Sequence, residues 1–119
     1  MENDQNQGLI REVFYTEEFF IFYKELNVKV QTKIDYVITL IKDIQLIHTG
    51  FVKKLVDTEL YEMRVSISSN EYRTILFAVD HKNIIEATKV VILNGFLKKS
   101  TKDYLEQINK AKKILNELE

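Results

Sequence analysis

The sequence predicts an α+β fold: an N-terminal helical hairpin packed on a small, mostly antiparallel sheet, with a C-terminal helix. Three observations carry this expectation. Apolar residues recur at helical spacing between residues 17 and 47. Three β-type stretches then follow one another between residues 60 and 94, separated by short polar breaks. Helical spacing returns from Asp103 onward. At 119 residues, 45% of them hydrophobic, the chain is expected to form a single domain, 1–119, that buries a core without staples.

The elements can be justified in order. Residues 1–7 are polar and acidic and are expected to be a short frayed tail. Residues 9–15 form a first strand, β-branched and aromatic after Gly8. Thr16 is placed to cap a helix over Glu17–Leu26, where Glu17 and Glu18 suit the positive end of the helix. Asn27 breaks that helix. A second one runs from Val28 to Ile47, with Val30, Ile34, Val37, Ile41 and Ile44 on one stripe. Gly50 ends the hairpin, and Phe51–Glu59 reads as a linker.

Strands are expected over Leu60–Ser68, Glu71–Asp80 and Asn83–Asn94, with tight turns at Ser69-Asn70 and His81-Lys82. A two-residue loop at Ser69-Asn70 sets Ser66 opposite Arg73 and Arg64 opposite Ile75. Glu62, Arg64, Ser66, Glu71 and Arg73 then share a solvated face, with Arg64 and Arg73 as diagonal neighbours. Tyr61, Met63, Val65, Tyr72, Leu76 and Ala78 make the opposite, core face. The stretch Ile84–Leu93 is apolar on both faces and predicts a central strand covered on both sides. Ser100 to Asp103 resembles a capping box for a last helix, Asp103–Leu118, whose stripe is Tyr104, Ile108, Ala111, Leu115 and Leu118.

Composition narrows the function. The chain has no Cys and no apolar run of the roughly 18 residues that a bilayer crossing needs. Its start lacks the basic and apolar segments of a secretory signal, so a cytoplasmic protein without membrane contact is expected. Net charge is −1, but unevenly spread. Residues 1–50 hold five Lys/Arg against eight Asp/Glu, and residues 51–119 hold twelve against ten. From Ala87 to Lys102 there is no acid, and Lys89, Lys98, Lys99 and Lys102 mark a local basic patch. With three glycines and no cysteine, no phosphate-binding glycine loop, zinc-ligand spacing or nucleophilic triad is found.

Three short tracts stand out: Leu60-Tyr61-Glu62-Met63-Arg64, Tyr72-Arg73, and Leu93-Asn94-Gly95-Phe96-Leu97-Lys98-Lys99. In this order and spacing they resemble the RelE/HigB superfamily of bacterial toxins, in particular its phage-derived HigB-type branch with its "LYELR", "YR" and "LLNGFVKK" segments. The resemblance spans residues 8–102. It implies a RelE-like fold and the toxin role of a type II toxin–antitoxin system. The implied activity is metal-independent, cofactor-free cleavage of messenger RNA on the ribosome. The implied partners are a cognate antitoxin protein, messenger RNA and the ribosome. A ParE-like toxin that binds gyrase without catalysis, or a catalytically decayed interaction module, are the alternatives.

Cleavage by attack of the ribose 2′-hydroxyl on the adjacent phosphate needs positive charge on the developing phosphorane and groups that move protons. Arg64 and Arg73 match the family's arginines and offer bidentate donors. Glu62 serves as a general base or orients Arg64, and Lys98 completes the catalytic set. Lys99, Lys53 and Lys54 are expected to bind RNA. Gly95 is expected to turn the backbone through a positive φ. Phe96 and Tyr104 read as core, and His48 and His81 as structural or solvated. The histidine triplet and the Thr-Pro run usual in relatives are not found in this chain.

Overall fold

A computed structural model describes residues 10–118. The expected frayed tail, 1–7, and the start of the first strand at Leu9 lie outside the described residues. The chain forms β1 (Glu12–Tyr15), α1 (Glu17–Lys24), α2 (Val28–Asp43), β2 (Val52–Lys54), β3 (Leu60–Ile67), β4 (Asn70–Ala78), β5 (Lys89–Leu97) and α3 (Thr101–Leu118). The strands make one five-stranded sheet in the order β1-β5-β4-β3-β2. Only the β1–β5 pairing is parallel; the other three are antiparallel. The α+β architecture, with its hairpin and final helix, is therefore the one the sequence predicts.

The hairpin is capped as its polar residues dictate. Thr16 Oγ1 accepts the amide of Phe19 at 3.1 Å, and Asn27 Oδ1 accepts that of Val30 at 3.0 Å. The helix α2 stops at Asp43, short of the expected Ile47, and leaves Ile44 exposed. The reason is Arg11, which is only 1% exposed. Its guanidinium donates to the carbonyls of Ile41, Ile44, Gln45, Ile84 and Ile85. Carbonyl oxygens that would extend the helix are consumed there instead. Burial also pushes the Arg11 pKa down.

The sheet is sandwiched between two apolar layers. On one side Phe19, Val30, Ile34, Val37 and Ile41 of the hairpin pack on Met63, Val65, Leu76, Val90 and Ile92. On the other, Ile108 and Ala111 of α3 pack on Leu60, Ile75, Val91, Leu93 and Phe96. The face expected to be solvated is thus the floor beneath α3. Leu118, expected in the α3 stripe, is exposed.

Several local expectations are corrected. The presumed linker Phe51–Glu59 contains β2, which pairs with Tyr61–Met63 and forms a sheet edge. The β3–β4 loop is Ser68-Ser69, with Ser68 at φ 56°, so Ile67 faces Asn70 and Arg64 faces Arg73 directly. The slip from the expected register is two residues, which leaves every side chain on its expected face. No tight turn forms at His81-Lys82. Residues 79–88 instead make a longer connection, in which the Asp80 carboxylate accepts the amides of Thr88 at 2.9 Å and Lys89 at 3.1 Å. The strand expected over Asn83–Asn94 accordingly starts later, at Lys89, and runs on through Leu97.

Gly95 does not adopt a positive φ. It lies within β5, and a Cβ there would come within 2.4 Å of the Phe22 ring, so glycine is required by close packing. Last, α3 begins at Thr101, two residues before its expected start, with Ser100 Oγ accepting the amide of Asp103 at 3.1 Å.

Candidate active site

The antiparallel pairing of β3 and β4 brings two arginines opposite each other, Arg64 and Arg73. Like charges facing across a ladder are unfavourable unless an anion lies between them. Glu62 supplies it. This carboxylate is 1% exposed, and its Oε1 accepts Arg64 Nε at 3.0 Å and lies 3.7 Å from Arg73 Nε. Its Oε2 accepts the Tyr104 hydroxyl of α3 at 2.5 Å. Arg73 Nη1 also donates to Glu71 at 3.1 Å, and Ser66 Oγ holds the same Glu71 carboxylate. The result is a chain of alternating charge, Arg64–Glu62–Arg73–Glu71, anchored from above by Tyr104.

The two arginines are not equivalent. The Arg64 side chain is 37% exposed, whereas that of Arg73 is 8% exposed. Arg73 Nε is buried without a hydrogen-bond partner, since 3.7 Å to Glu62 is too long for one. Arg73 therefore sits in the floor of the site, and Arg64 at its surface.

Ionisation follows from this layout. Burial, and then the hydrogen bond to Glu62, push the Tyr104 hydroxyl up to about 12, despite the opposing field of Arg64 and Arg73. Tyr104 thus holds its proton at neutral pH and donates it to Glu62. Glu71 is pulled below the usual carboxylate range, first by Ser66 and then by Arg73.

The lysines distribute around this core. Lys98 follows β5, is exposed, and holds its ammonium 5.0 Å from the centre of the Tyr104 ring. Its amide donates to the Glu71 carbonyl at 2.8 Å. Lys53 pairs in register with Glu62, so it projects on the same face as the arginines. A cleft of about 560 Å³ between β2, the loop after it and α3 is lined by Lys53, Lys54, Glu62, Arg64, Tyr104 and Lys112, among others. Lys54 is otherwise tied to the Thr58 carbonyl. Lys99 is exposed beyond β5 and has no place in the cleft lining.

Glu62, Arg64, Arg73 and Lys98 are therefore gathered at one place, Lys53 and Lys54 border it, and Lys99 stands apart. Phe96 is buried and meets Tyr104 edge-on at 6.0 Å. His48 and His81 accept nearby backbone amides, of Gly50 and Asn83, through Nδ1. The residue that sequence reasoning undervalued is Tyr104. Its place in an apolar stripe is correct, but its hydroxyl reaches across the floor to Glu62, a contact 42 residues apart that no local pattern shows. Among the described residues, no group of three or more His, Asp or Glu could hold a metal ion, and no helix is long and apolar enough to cross a membrane.

A helical hairpin and a C-terminal helix on opposite faces of this mostly antiparallel sheet define a RelE-like α+β domain. One solved structure with this fold is the E. coli toxin RelE, an arginine-to-alanine double mutant in the free state. It superposes with a TM-score of 0.59 at 14% identity, covering 86% of this chain and 98% of that chain. More particularly, the chain belongs to the family described as "Phage derived protein Gp49-like", whose profile matches residues 22–116. This is a RelE/HigB-type toxin family. No curated protein matches the chain in sequence.

Proposed function

We propose that this protein is the toxin of a type II toxin–antitoxin pair and that it cleaves messenger RNA on the ribosome. The observation that supports this most is the pairing of Arg64 with Arg73 over a buried carboxylate, beside an open cleft rimmed by lysines. A pair of guanidinium groups held in fixed positions is preorganised for a phosphate whose charge grows in the transition state.

In the reaction proposed, the ribose 2′-hydroxyl gives up its proton to solvent as its oxygen bonds to phosphorus. The bond from phosphorus to the 5′-oxygen breaks, that oxygen takes up a proton from solvent, and a cyclic phosphate remains. Arg64, the more exposed arginine, contacts the non-bridging oxygens. Arg73 sits beneath and adds charge. Glu62 orients both guanidinium groups, because its two oxygens are already engaged by Arg64 and Tyr104. Lys98, close to Tyr104, offsets negative charge on the departing oxygen, and Lys53 and Lys54 attract the RNA backbone. The implied protein partner is an antitoxin that neutralises this face.

Induced expression, with transcript ends mapped, tests the reading. It predicts arrested translation and new 5′ ends inside open reading frames, both lost with Arg64→Ala. Growth arrest with intact transcripts and accumulating DNA breaks would instead establish gyrase poisoning.

A further inference from the structure

Arg64 is a wall shared by two clefts. The first is the lysine-rimmed cleft beneath α3. The second, of about 300 Å³, lies on the other side of Arg64, where it is lined by Lys33, Phe51, Ser66, Glu71 and Arg73, among others. It exists because β2 is short. Only Tyr61–Met63 are covered by β2, and the last strand-like bond on that edge is from the Arg64 amide to the Phe51 carbonyl at 2.8 Å. Beyond it, among the described residues, the outer edge of β3 has no strand neighbour, and Lys33 reaches over from α2 to donate to the Ser66 carbonyl at 2.8 Å.

Three cationic side chains, Lys33, Arg64 and Arg73, thus border one small cleft; Glu71 in its wall and Glu62 beneath balance the two arginines, and Lys33 is the cation left over. Lys33 is exposed, and among the described residues no carboxylate lies within ion-pairing distance of it. An ammonium held only by a neutral carbonyl, in a cleft whose two arginines are already balanced by Glu62 and Glu71, leaves that cleft one negative charge short. We infer that this second cleft is a phosphate subsite for single-stranded RNA. Lys33 contacts the backbone one step along from the phosphate held at Arg64, and the strand passes over Arg64 from one cleft to the other. The inference rests on the RNA-binding part of the function proposed above, not on cleavage.

The test uses the full chain and 2′-O-methyl oligonucleotides, which cannot be cleaved. Binding is followed by NMR at low salt for a dinucleotide and for pentanucleotides extended on either side of it. Lys33→Gln should weaken binding of one pentanucleotide about threefold to tenfold and reduce its log–log salt slope by about 0.7, the single-strand value for one lost phosphate contact. Dinucleotide binding and the melting temperature should not change, and Lys33→Arg should restore the affinity. An unchanged slope overturns the subsite, and so does a lowered melting temperature with unaltered binding, which would make Lys33 a structural tie to Ser66. Failure of the wild type to bind any oligonucleotide also overturns it. Binding that depends on Lys33 in a protein that leaves transcripts intact would remove the nuclease reading while the subsite stands.

Discussion

Replacing Glu62 by Gln isolates what the buried carboxylate contributes. The amide has nearly the same shape, and its oxygen can still accept the Tyr104 hydroxyl. It carries no charge, however, and its nitrogen would face Arg64 and Arg73, donor against donor. Removing one partner of a buried ion pair costs about 3–5 kcal/mol. The lower end applies here, because Arg64 is partly solvated and Arg73 Nε stands at 3.7 Å. For 119 residues the unfolding entropy near the midpoint is about 0.25 kcal/mol/K, so a loss of about 3 kcal/mol lowers Tm by about 12 °C. Scanning calorimetry of Glu62→Gln beside Glu71→Gln provides the comparison. Glu71 pairs with the same arginine but its side chain is 44% exposed, so its loss should cost about 1 kcal/mol or less. A Glu62→Gln protein that melts with the wild type would refute the claim that this carboxylate holds the arginines. Wild-type stability combined with abolished cleavage would make Glu62 a general base.

The two arginines should separate in the same way. Arg64→Ala and Arg73→Ala should each lower cleavage by about 10²–10³. Both leave Glu62 with one partner fewer, but Arg73→Ala should cost more stability, by about 2–3 kcal/mol, because its side chain is 8% exposed against 37% for Arg64 and its removal also leaves a buried void; equal urea midpoints for the two variants would contradict this. Gly95→Ala should destabilise by about 1–3 kcal/mol through overlap with Phe22, and Phe22→Leu should recover part of the loss; a neutral Gly95→Ala would show that the contact is loose. The depressed pKa of Glu71 implies stability that is present above the ordinary carboxylate value of 4.5 and is lost as pH falls through the lower folded value. Glu71→Gln should therefore flatten the acid side of the stability profile below about pH 4.5, and a profile that superposes on the wild type's would show that Ser66 and Arg73 do not hold the carboxylate.

Much of this protein is decided locally. The caps at Thr16 and Asn27, the stripe Val30-Ile34-Val37-Ile41 and the alternation in Leu60–Ile67 each follow from residues within a few positions of one another. Hence the element types, the α+β class and the sharing of one face by Glu62, Arg64 and Arg73 were legible in the sequence. Side-chain period and turn chemistry are properties of short segments. The three tracts around Arg64, Arg73 and Lys98 were legible for the same reason.

What the chain could not show locally depended on distant partners. That the polar face is buried follows from α3 lying across it, which no alternation within β3 can report. The early end of α2 follows from Arg11, which lies upstream of it and claims its last carbonyls. The clearest case is β5, where the pairing slips between Ile75 and Leu76 and leaves Leu93 as an extra residue. That bulge reverses the alternation, so Asn94 and Phe96 join Leu93 on the α3 side while Gly95 turns to Phe22. A run apolar on both faces carries no period to reveal such a shift, because either register buries it equally well. Only packing against Phe22 on one side and Tyr104 on the other selects the one that sets Lys98 beside the arginines.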